Sequence, residues 1–396
     1  MTGLAAGVEH TAAAGFVKQR KRIAMLVGVP KEIKDNEYRV GIVPSTVREL
    51  TENGHRVLIE RQAGAGAGFG DADYQDAGGE IVSDGDAVFD RAELIVKVKE
   101  PLAAERKKLS RGQVLFTYLH LAPDRVQTEE LMATGVTAIA YETVTSQQGT
   151  LPLLMPMSEV AGRMAPHVGA HCLEKENGGR GVLLAGAPGV ATATVVILGG
   201  GVAGANAATI ASGMGADVTV LDRNLEALHR IAAQLGSRVR TLFSTRDVVE
   251  LLCRRADLVI ATVLVPGATA PKLISAQTVK AMKPGTVIVD VAIDQGGCAE
   301  TSRPTTHSHP TFVVDDVVHY CVTNMPGAVP RTSTYALTNA TTSFILALAD
   351  KGWRRALHDD PHLRNGLNVY NGQVTCRAVA DALKLPYTSA DRVLQM

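Results

Sequence analysis

The sequence predicts an α/β protein of two doubly wound domains with a cleft between them. One is central and continuous, and the other is discontinuous, assembled from both ends of the chain. Three observations carry this. Short apolar runs alternate with helix-patterned stretches, the signature of parallel sheets with crossover helices. That alternation runs twice, with a long helical stretch between the two series. Hydrophobic residues are 46% of the chain and aromatic ones only 4%, so small aliphatic side chains fill the interior, as in sheets buried on both faces. The 396 residues suffice for two cores of this kind.

Residues 1–24 differ from the rest of the chain. The segment is weakly hydrophobic, and its basic cluster, Lys18 to Arg22, comes late. A secretory signal carries charge first and an apolar core after. The segment reads as a disordered or loosely docked extension, with Met25 as an alternative start. "IAMLVGVP" (23–30) is a first strand, and "HRVLIE", "EIVS" and "LIVKVKEP" (94–101) are further ones. Between the first two, Val47 and Leu50 show helical spacing, with a stop at Asn53-Gly54. "QVLFTYLHL" and "TAIAYETV" continue the alternation. A helix is expected from Ser158 to about 177, closed by Gly178-Gly179. The second series is "TVVILGGGVAGANAATIASGMGADVTVLD" (194–222), "RTLFS", "ADLVIATVL", "GTVIVDVAI" and "HYCVTNMP"; from Val329 the chain turns helical again. The expected division is 25–152 with 331–396 as one domain and 153–330 as the other.

Several classes of function are disfavoured. A net charge of zero gives no electrostatic case for nucleic acid. The sequence has no apolar run of the roughly 18 residues a membrane span needs. Five scattered cysteines (172, 253, 298, 321 and 376) suggest neither a disulfide framework nor a metal knuckle, and fit a reducing, cytoplasmic setting.

The turn Gly199-Gly200-Gly201-Val202-Ala203-Gly204 satisfies G-x-G-x-x-G between the strand Val195–Leu198 and a small-residue helix. In a Rossmann dinucleotide-binding unit Gly199 permits the tight turn. Gly201 lets a pyrophosphate approach the backbone, and Gly204 lets helix and strand pack closely. The phosphates then meet the positive end of the helix. Eighteen residues later Asp222 ends the next strand, placed to accept from ribose hydroxyls and to favour NAD over its 2′-phosphorylated form. Arg223, beside it, could tolerate that phosphate. Ser244, Val263, Leu264, Asp294, Asn324 and Met325 follow later strands of the same series. They are expected at the carboxyl edge, outside which the cofactor binds. Asp294, expected to end a strand 286–293 before Gly296-Gly297, points at chemistry.

In the other half, Lys97 and Lys99 alternate on an apolar strand, Arg39 precedes an apolar run, and His120 lies between leucines near a strand end. For Lys97 the expected place is the rim, its ammonium reaching solvent. Alone, His120 reads as a structural histidine. Together, two cations can clamp a carboxylate, and a histidine can move protons near neutral pH. His167 and His171, four apart beside Cys172, have metal spacing but no supporting ligands, and read as helix-surface or subunit-contact residues. His307 and His309 read as loop residues, and Ser158 as a helix cap.

The segments "GVPKEIKDNEYRVGIVP", "LIVKVKEP", "FTYLHLA", "PMSEVAGR", "ILGGGVAGANAA", "VDVAIDQGGCAETSRPTTHSHPTF" and "CVTNMPGAVPRTSTYALTNAT" together resemble the alanine dehydrogenases, from about Met25 to the C-terminus. The resemblance implies reversible NAD-dependent deamination of L-alanine to pyruvate and ammonium by a two-domain chain, usually a homohexamer. It implies that Arg39 and Lys99 hold the substrate carboxylate and carbonyl, and that His120 is the acid/base with Asp294 as second catalytic group. Further, it implies an NAD site lined by Ser158, Val202, Ala203, Asp222, Ser244, Val263, Leu264, Val291, Ala292, Ile293, Asp294, Arg303 and Val322, Thr323, Asn324 and Met325. Two positions depart from relatives. Some carry a cation on a glutamate and a later histidine, where this chain has Glu142 and Lys351, so no metal is expected. Ala227 stands where a basic residue can approach the adenosine. Rival readings are the NAD-binding part of a transhydrogenase, which needs a membrane partner, and an NADH sensor without turnover.

Overall fold

The computed structural model describes residues 24–263 and 270–395. Six strands come first along the chain: β1 (Leu26–Val29), β2 (Arg56–Glu60), β3 (Glu80–Val82), β4 (Leu94–Val96), β5 (Val114–Thr117) and β6 (Thr137–Ala140). Seven more run from the centre: β7 (Thr194–Leu198), β8 (Asp217–Asp222), β9 (Val239–Phe243), β10 (Leu258–Ala261), β11 (Val287–Asp290), β12 (Thr311–Val314) and β13 (Val317–Tyr320). The chain then returns with β14 (Leu367–Tyr370) and β15 (Gln373–Val374).

Among the described residues these build two sheets, ordered β15-β14-β6-β5-β4-β1-β2-β3 and β12-β13-β11-β10-β7-β8-β9. All neighbours pair in parallel except β14 with β6 and β15 in the first sheet, and β12 with β13 in the second. Read from β3, the first sheet runs 3-2-1-4-5-6 along its series; read from β9, the second runs 3-2-1-4-5 likewise, with β13 in sixth place and β12 antiparallel outside it. The doubly wound plan is therefore used twice, with one switch point between β1 and β4 and another between β7 and β10. Loops leaving adjacent strands at a switch point turn to opposite faces, which opens a crevice at the carboxyl edge.

The strands are apolar because both faces are covered. Val27, Val29, Leu94 and Val96 lie in one core, and Val195, Ile197, Ile260 and Val289 in another. The helix Pro44–Glu52 buries Val47 and Leu50 and stops at Asn53, as its spacing predicts. Helix Leu225–Leu235 starts under Asn224, whose side chain accepts from the amides of Glu226 and Ala227.

Two long helices, Met155–Cys172 and Pro330–Lys351, pack on each other where the chain passes between the two sheets. The first contributes Met157 and Val160 to one core, and Ala161 and Ala165 to the other. It starts three residues before Ser158, whose hydroxyl donates back to the Leu154 carbonyl at 3.4 Å. Ser158 is therefore a helix-interior residue and does not cap. β11 also ends earlier than the sequence suggests. Asp290 closes it, and Val291–Gln295 form a 3-10 turn that carries Asp294. Asp290 is fully buried and accepts from the amides of Cys298 and Ala299 and the hydroxyl of Ser302. Those bonds fold the glycine-containing segment back beneath the turn.

Candidate active site

A cleft of about 880 Å³ lies between the carboxyl edges of the two sheets. Arg39, Lys99 and His120 reach it from the loops after β1, β4 and β5, and Asp294 from the turn after β11. Ser158, Gly199, Gly201, Val202, Ala203, Asp222, Ser244, Val263, Val291, Ala292 and Asn324 line it as well. Gly204, Ile293, Arg303, Val322, Thr323 and Met325 are not among its lining residues. Ile293, Val322 and Met325 are buried, and the Arg303 guanidinium stacks 4.2 Å from the Phe312 ring. Leu264 lies outside the described residues.

Arg39 is buried beneath the cleft. Its Nε and Nη2 donate to the two carboxylate oxygens of Glu37 at 2.7 and 2.5 Å. Nη2 also donates to Asn324 Oδ1 at 2.6 Å, and Nη1 lies 2.9 Å from Met157 Sδ. Asn324 Nδ2 returns a bond to Glu37 Oε2 at 2.9 Å. This triangle joins the loop after β1 to the segment after β13, so it ties the two halves of the cleft together. Burial pushes the Glu37 carboxyl up, but the Arg39 hydrogen bonds and charge outweigh it and hold the group at about 2. Glu37 therefore stays an anion and fixes the guanidinium plane, leaving Nη1 facing Met157 and the cleft.

Lys99 is 9% exposed, and burial followed by the neighbouring Arg39 cation lowers its pKa. A depressed ammonium beside an arginine suits a group that meets an anionic, carbonyl-bearing ligand. Lys97 is not at the rim. Regular pairing stops at Val96, and the Lys97 chain turns inward to donate to Glu32 at 3.0 Å and Glu105 at 2.7 Å, all three groups being buried. Two carboxylates make the interior the favourable place for that ammonium, which an alternation argument cannot foresee because Glu32 comes from a different loop. The other Glu32 oxygen accepts from the amides of Val98, at 2.7 Å, and Lys99, at 3.3 Å.

His120 sits at φ +49°, in the left-handed region. Its ring stacks on Tyr118 with centroids 5.8 Å apart, and its face to the cleft is exposed. Glu142 accepts its amide at 2.6 Å. Lys351, distant in sequence, pairs with Asp359 at 3.2 Å. No cluster of three or more histidine, cysteine, aspartate or glutamate side chains that could hold a metal occurs among the described residues. His167 and His171 are exposed on their helix, and His307 Nε2 lies 3.1 Å from the Asn324 carbonyl.

The glycine turn has the form a dinucleotide needs. Gly199, at φ +102°, tolerates no side chain, since a Cβ there would come 2.8 Å from Thr262 Oγ1. A Cβ at Gly204 would meet the Gly199 carbonyl at 1.8 Å. At Gly201 it would enter open space, at the head of the helix Val202–Gly213. That is the room, beside free helix-end amides, that a pyrophosphate fills. Asp222 Oδ2 accepts from Gly200 N at 2.5 Å and Oδ1 from Asn224 N at 2.7 Å. Each oxygen keeps a second lone pair for a ribose hydroxyl. The residues present therefore fit NAD.

Sequence reasoning missed Glu32, Glu37, Thr262 and Lys272. Thr262 Oγ1 donates to the carbonyls of Leu198 and Gly199, and Lys272 Nζ to those of Gly296, Gly297 and Ala299. Only Glu37, two residues before Arg39, carried a signal in the sequence itself.

The family described as "Alanine dehydrogenase/PNT, N-terminal domain" matches residues 28–161, and "Alanine dehydrogenase/PNT, C-terminal domain" matches 165–377. An alanine dehydrogenase of Halomonas elongata is 58% identical over 366 residues, 92% of this chain and 99% of its own. One of Mycolicibacterium smegmatis is 55% identical over 93% of this chain and 100% of its own. A solved L-alanine dehydrogenase structure superposes with a TM-score of 0.88 at 52% identity, covering 91% of this chain and 99% of that one. A transhydrogenase structure from Sinorhizobium meliloti, at TM-score 0.75 and 24% identity over 89% of this chain and 99% of that one, shares the fold. Both halves of the chain, and the twice-used doubly wound plan that holds its cleft, thus belong to the alanine dehydrogenase/PNT family.

Proposed function

We propose that this chain is an NAD-dependent L-alanine dehydrogenase, interconverting L-alanine and water with pyruvate and ammonium. The observation that carries this is the meeting, in one cleft, of Arg39, Lys99 and His120 from the carboxyl edge of one sheet with Asp294 and the glycine turn from that of the other. Bound NAD supplies the two-electron hydride acceptor. The chain supplies position and protons. Arg39 and Lys99 hold the carboxylate and carbonyl oxygens, which fixes the α-carbon in the cleft. The substrate amine must be unprotonated for its lone pair to help hydride leave. His120 takes protons from amine and water, while Asp294 orients the water and stabilises positive charge at the reacting carbon. The remaining cofactor contacts rest on the resemblance: Ser158, Gly199, Gly201 to Gly204, Asp222, Ser244, Val263, Val291 to Asp294, Arg303 and Val322 to Met325. No cation is assigned to Glu142 and Lys351.

The domain division is 25–152 with 331–396 for substrate, and 153–330 for NAD. No described helix is long and apolar enough to cross a membrane. We infer a cytoplasmic homohexamer on the resemblance; sedimentation of the purified chain checks the assembly.

The test is absorbance at 340 nm with purified protein, NAD+ and L-alanine at alkaline pH, beside serine, glycine and no-substrate controls. A rise specific to alanine is expected. His120→Ala and Asp294→Asn are each expected to lower turnover by about 10²–10⁴-fold with NADH binding retained. NADH binding without any alanine-dependent rise would overturn the reading in favour of a sensor or a transhydrogenase component.

A further inference from the structure

Glu142 does nothing in the mechanism above, yet it makes an arrangement that only one feature of the cleft needs. It sits in the 3-10 turn Tyr141–Thr143 that follows β6, beside β5. Oε1 accepts the His120 amide at 2.6 Å and the Leu119 amide at 3.1 Å, and Oε2 lies 3.2 Å from the Leu119 amide. On the other side of the same peptide, the buried Gln127 donates its Nε2 to the Leu119 carbonyl at 2.5 Å. The chain here is thus gripped at two successive N–H groups and one C=O. The grip falls where His120 adopts φ +49°, a conformation in which a Cβ is crowded and which L-residues hold only when their surroundings enforce it. Two successive amides aimed at one carboxylate form a concave donor pair, and the charge-assisted bonds are stronger than those to a neutral acceptor.

The same device recurs one strand over. Glu32 accepts the successive amides of Val98 and Lys99 beyond β4. In each case a carboxylate from a neighbouring loop holds the main chain of a cleft residue after its strand has ended and ladder bonds no longer restrain it. Glu32 also pairs with the buried Lys97, so removing it would disturb a buried ion pair as well as the turn. Glu142 has no such second duty among the described residues, which makes it the informative one to change.

We propose that Glu142 is a positioning residue for the dehydrogenase reaction. By accepting the Leu119 and His120 amides it fixes the left-handed turn that aims the His120 imidazole into the cleft, and it acts only through His120. This rests on the alanine dehydrogenase reading.

The experiment compares wild type, Glu142→Ala, Glu142→Gln, His120→Ala and the double variant His120→Ala/Glu142→Ala, measuring kcat, KM for alanine, NADH Kd and thermal midpoint. Glu142→Ala is expected to lose kcat on the order of a hundredfold, with NADH Kd unchanged. Glu142→Gln keeps a carbonyl oxygen in the same place and should recover most of the loss. The double variant should retain the residual activity of His120→Ala alone, because a turn that aims nothing no longer matters. Activity of Glu142→Ala within twofold of wild type would overturn the proposal. So would a Glu142→Gln as impaired as the alanine variant, since charge rather than amide acceptance would then be the requirement. A double variant well below His120→Ala would also overturn it, by exposing a general structural role. If Glu142→Ala does not fold, the glutamine variant and its double with His120→Ala decide alone. An inactive wild type would instead sink the dehydrogenase reading, which separates the two failures.

Discussion

At the residue scale, the cleft is organised by anions that meet no ligand themselves. Glu37 holds Arg39, Glu32 holds Lys97 and the Lys99 amide, and Glu142 holds the His120 amide. Each turns a mobile or poorly solvated group into one with a single orientation. For Glu37 the consequence can be read in pH. Its carboxyl ordinarily titrates near 4.5 and in the fold is held at about 2. A depressed carboxyl stabilises the fold fully above its unfolded value, and that contribution disappears as pH falls from about 4.5 through 2. The size is on the order of 3 kcal/mol, as an upper figure for a tightly paired buried group. Glu37→Gln should therefore be less stable than wild type at pH 7, because Arg39 is left buried without its counter-charge. It should also lose less further stability between pH 4.5 and 2. Urea midpoints measured across that range check this, and parallel curves for the two proteins would contradict it.

At the element scale, an exacting contact lies between the helix Met155–Cys172 and the helix that follows the glycine turn. A Cβ at Gly162 would come 2.2 Å from the Ala203 carbonyl, which is backbone and cannot swing aside. Gly162→Ala should push the two helices apart, costing about 1–3 kcal/mol. It should also weaken NADH binding, since Ala203 lies in the first turn of the phosphate-facing helix. Gly213→Ala, near the end of the same helix and facing open space, should be neutral or mildly stabilising. Thermal midpoints and NADH titrations of the two variants test the contrast. Equal behaviour would mean that the helix contact does not govern the turn.

At the scale of the whole molecule, the two walls of the cleft come from different sheets, and the Glu37–Arg39–Asn324 triangle spans them. On the proposed assignment, a substrate on Arg39 and a cofactor on the glycine turn would favour the same arrangement of the two halves. Pyruvate should bind more tightly with NADH present than without it, by roughly 5–150-fold, and NADH should gain equally from pyruvate. Calorimetric titration in ammonium-free buffer measures both. Affinities that are independent of one another would show that the halves are not coupled through the cleft.

How much of this was legible in the chain differs by kind of feature. Local pattern was enough for the alternation of strands and helices, the strand–turn–helix around Gly199, Gly201 and Gly204, and the helix stop at Asn53-Gly54, because sterics and period act within a few residues. Pattern was also enough to single out Arg39, Lys99, His120 and Asp294 as charged or titratable groups in apolar surroundings. It did not reveal that the first sheet repeats the strand order of the second, nor that β14 and β15 return to complete it. Strand order depends on which edges the crossovers reach, not on any one segment. Lys97 shows the limit most plainly. Spacing alone put its ammonium at the rim, but Glu32, from the loop after β1, and Glu105, from the short helix Ala103–Arg106, make the interior the place where that charge is best compensated. Asp290 shows the same, ending β11 because amides eight and nine residues further on fold back onto its carboxylate. The elements, the dinucleotide turn and the chemically able side chains were thus written in short stretches of chain. Glu37 lies near Arg39 in the chain, but that Glu32 holds Lys97 and the Lys99 amide, and Glu142 the His120 amide, was settled in three dimensions, because those carboxylates come from segments that meet these residues only when the sheet has formed.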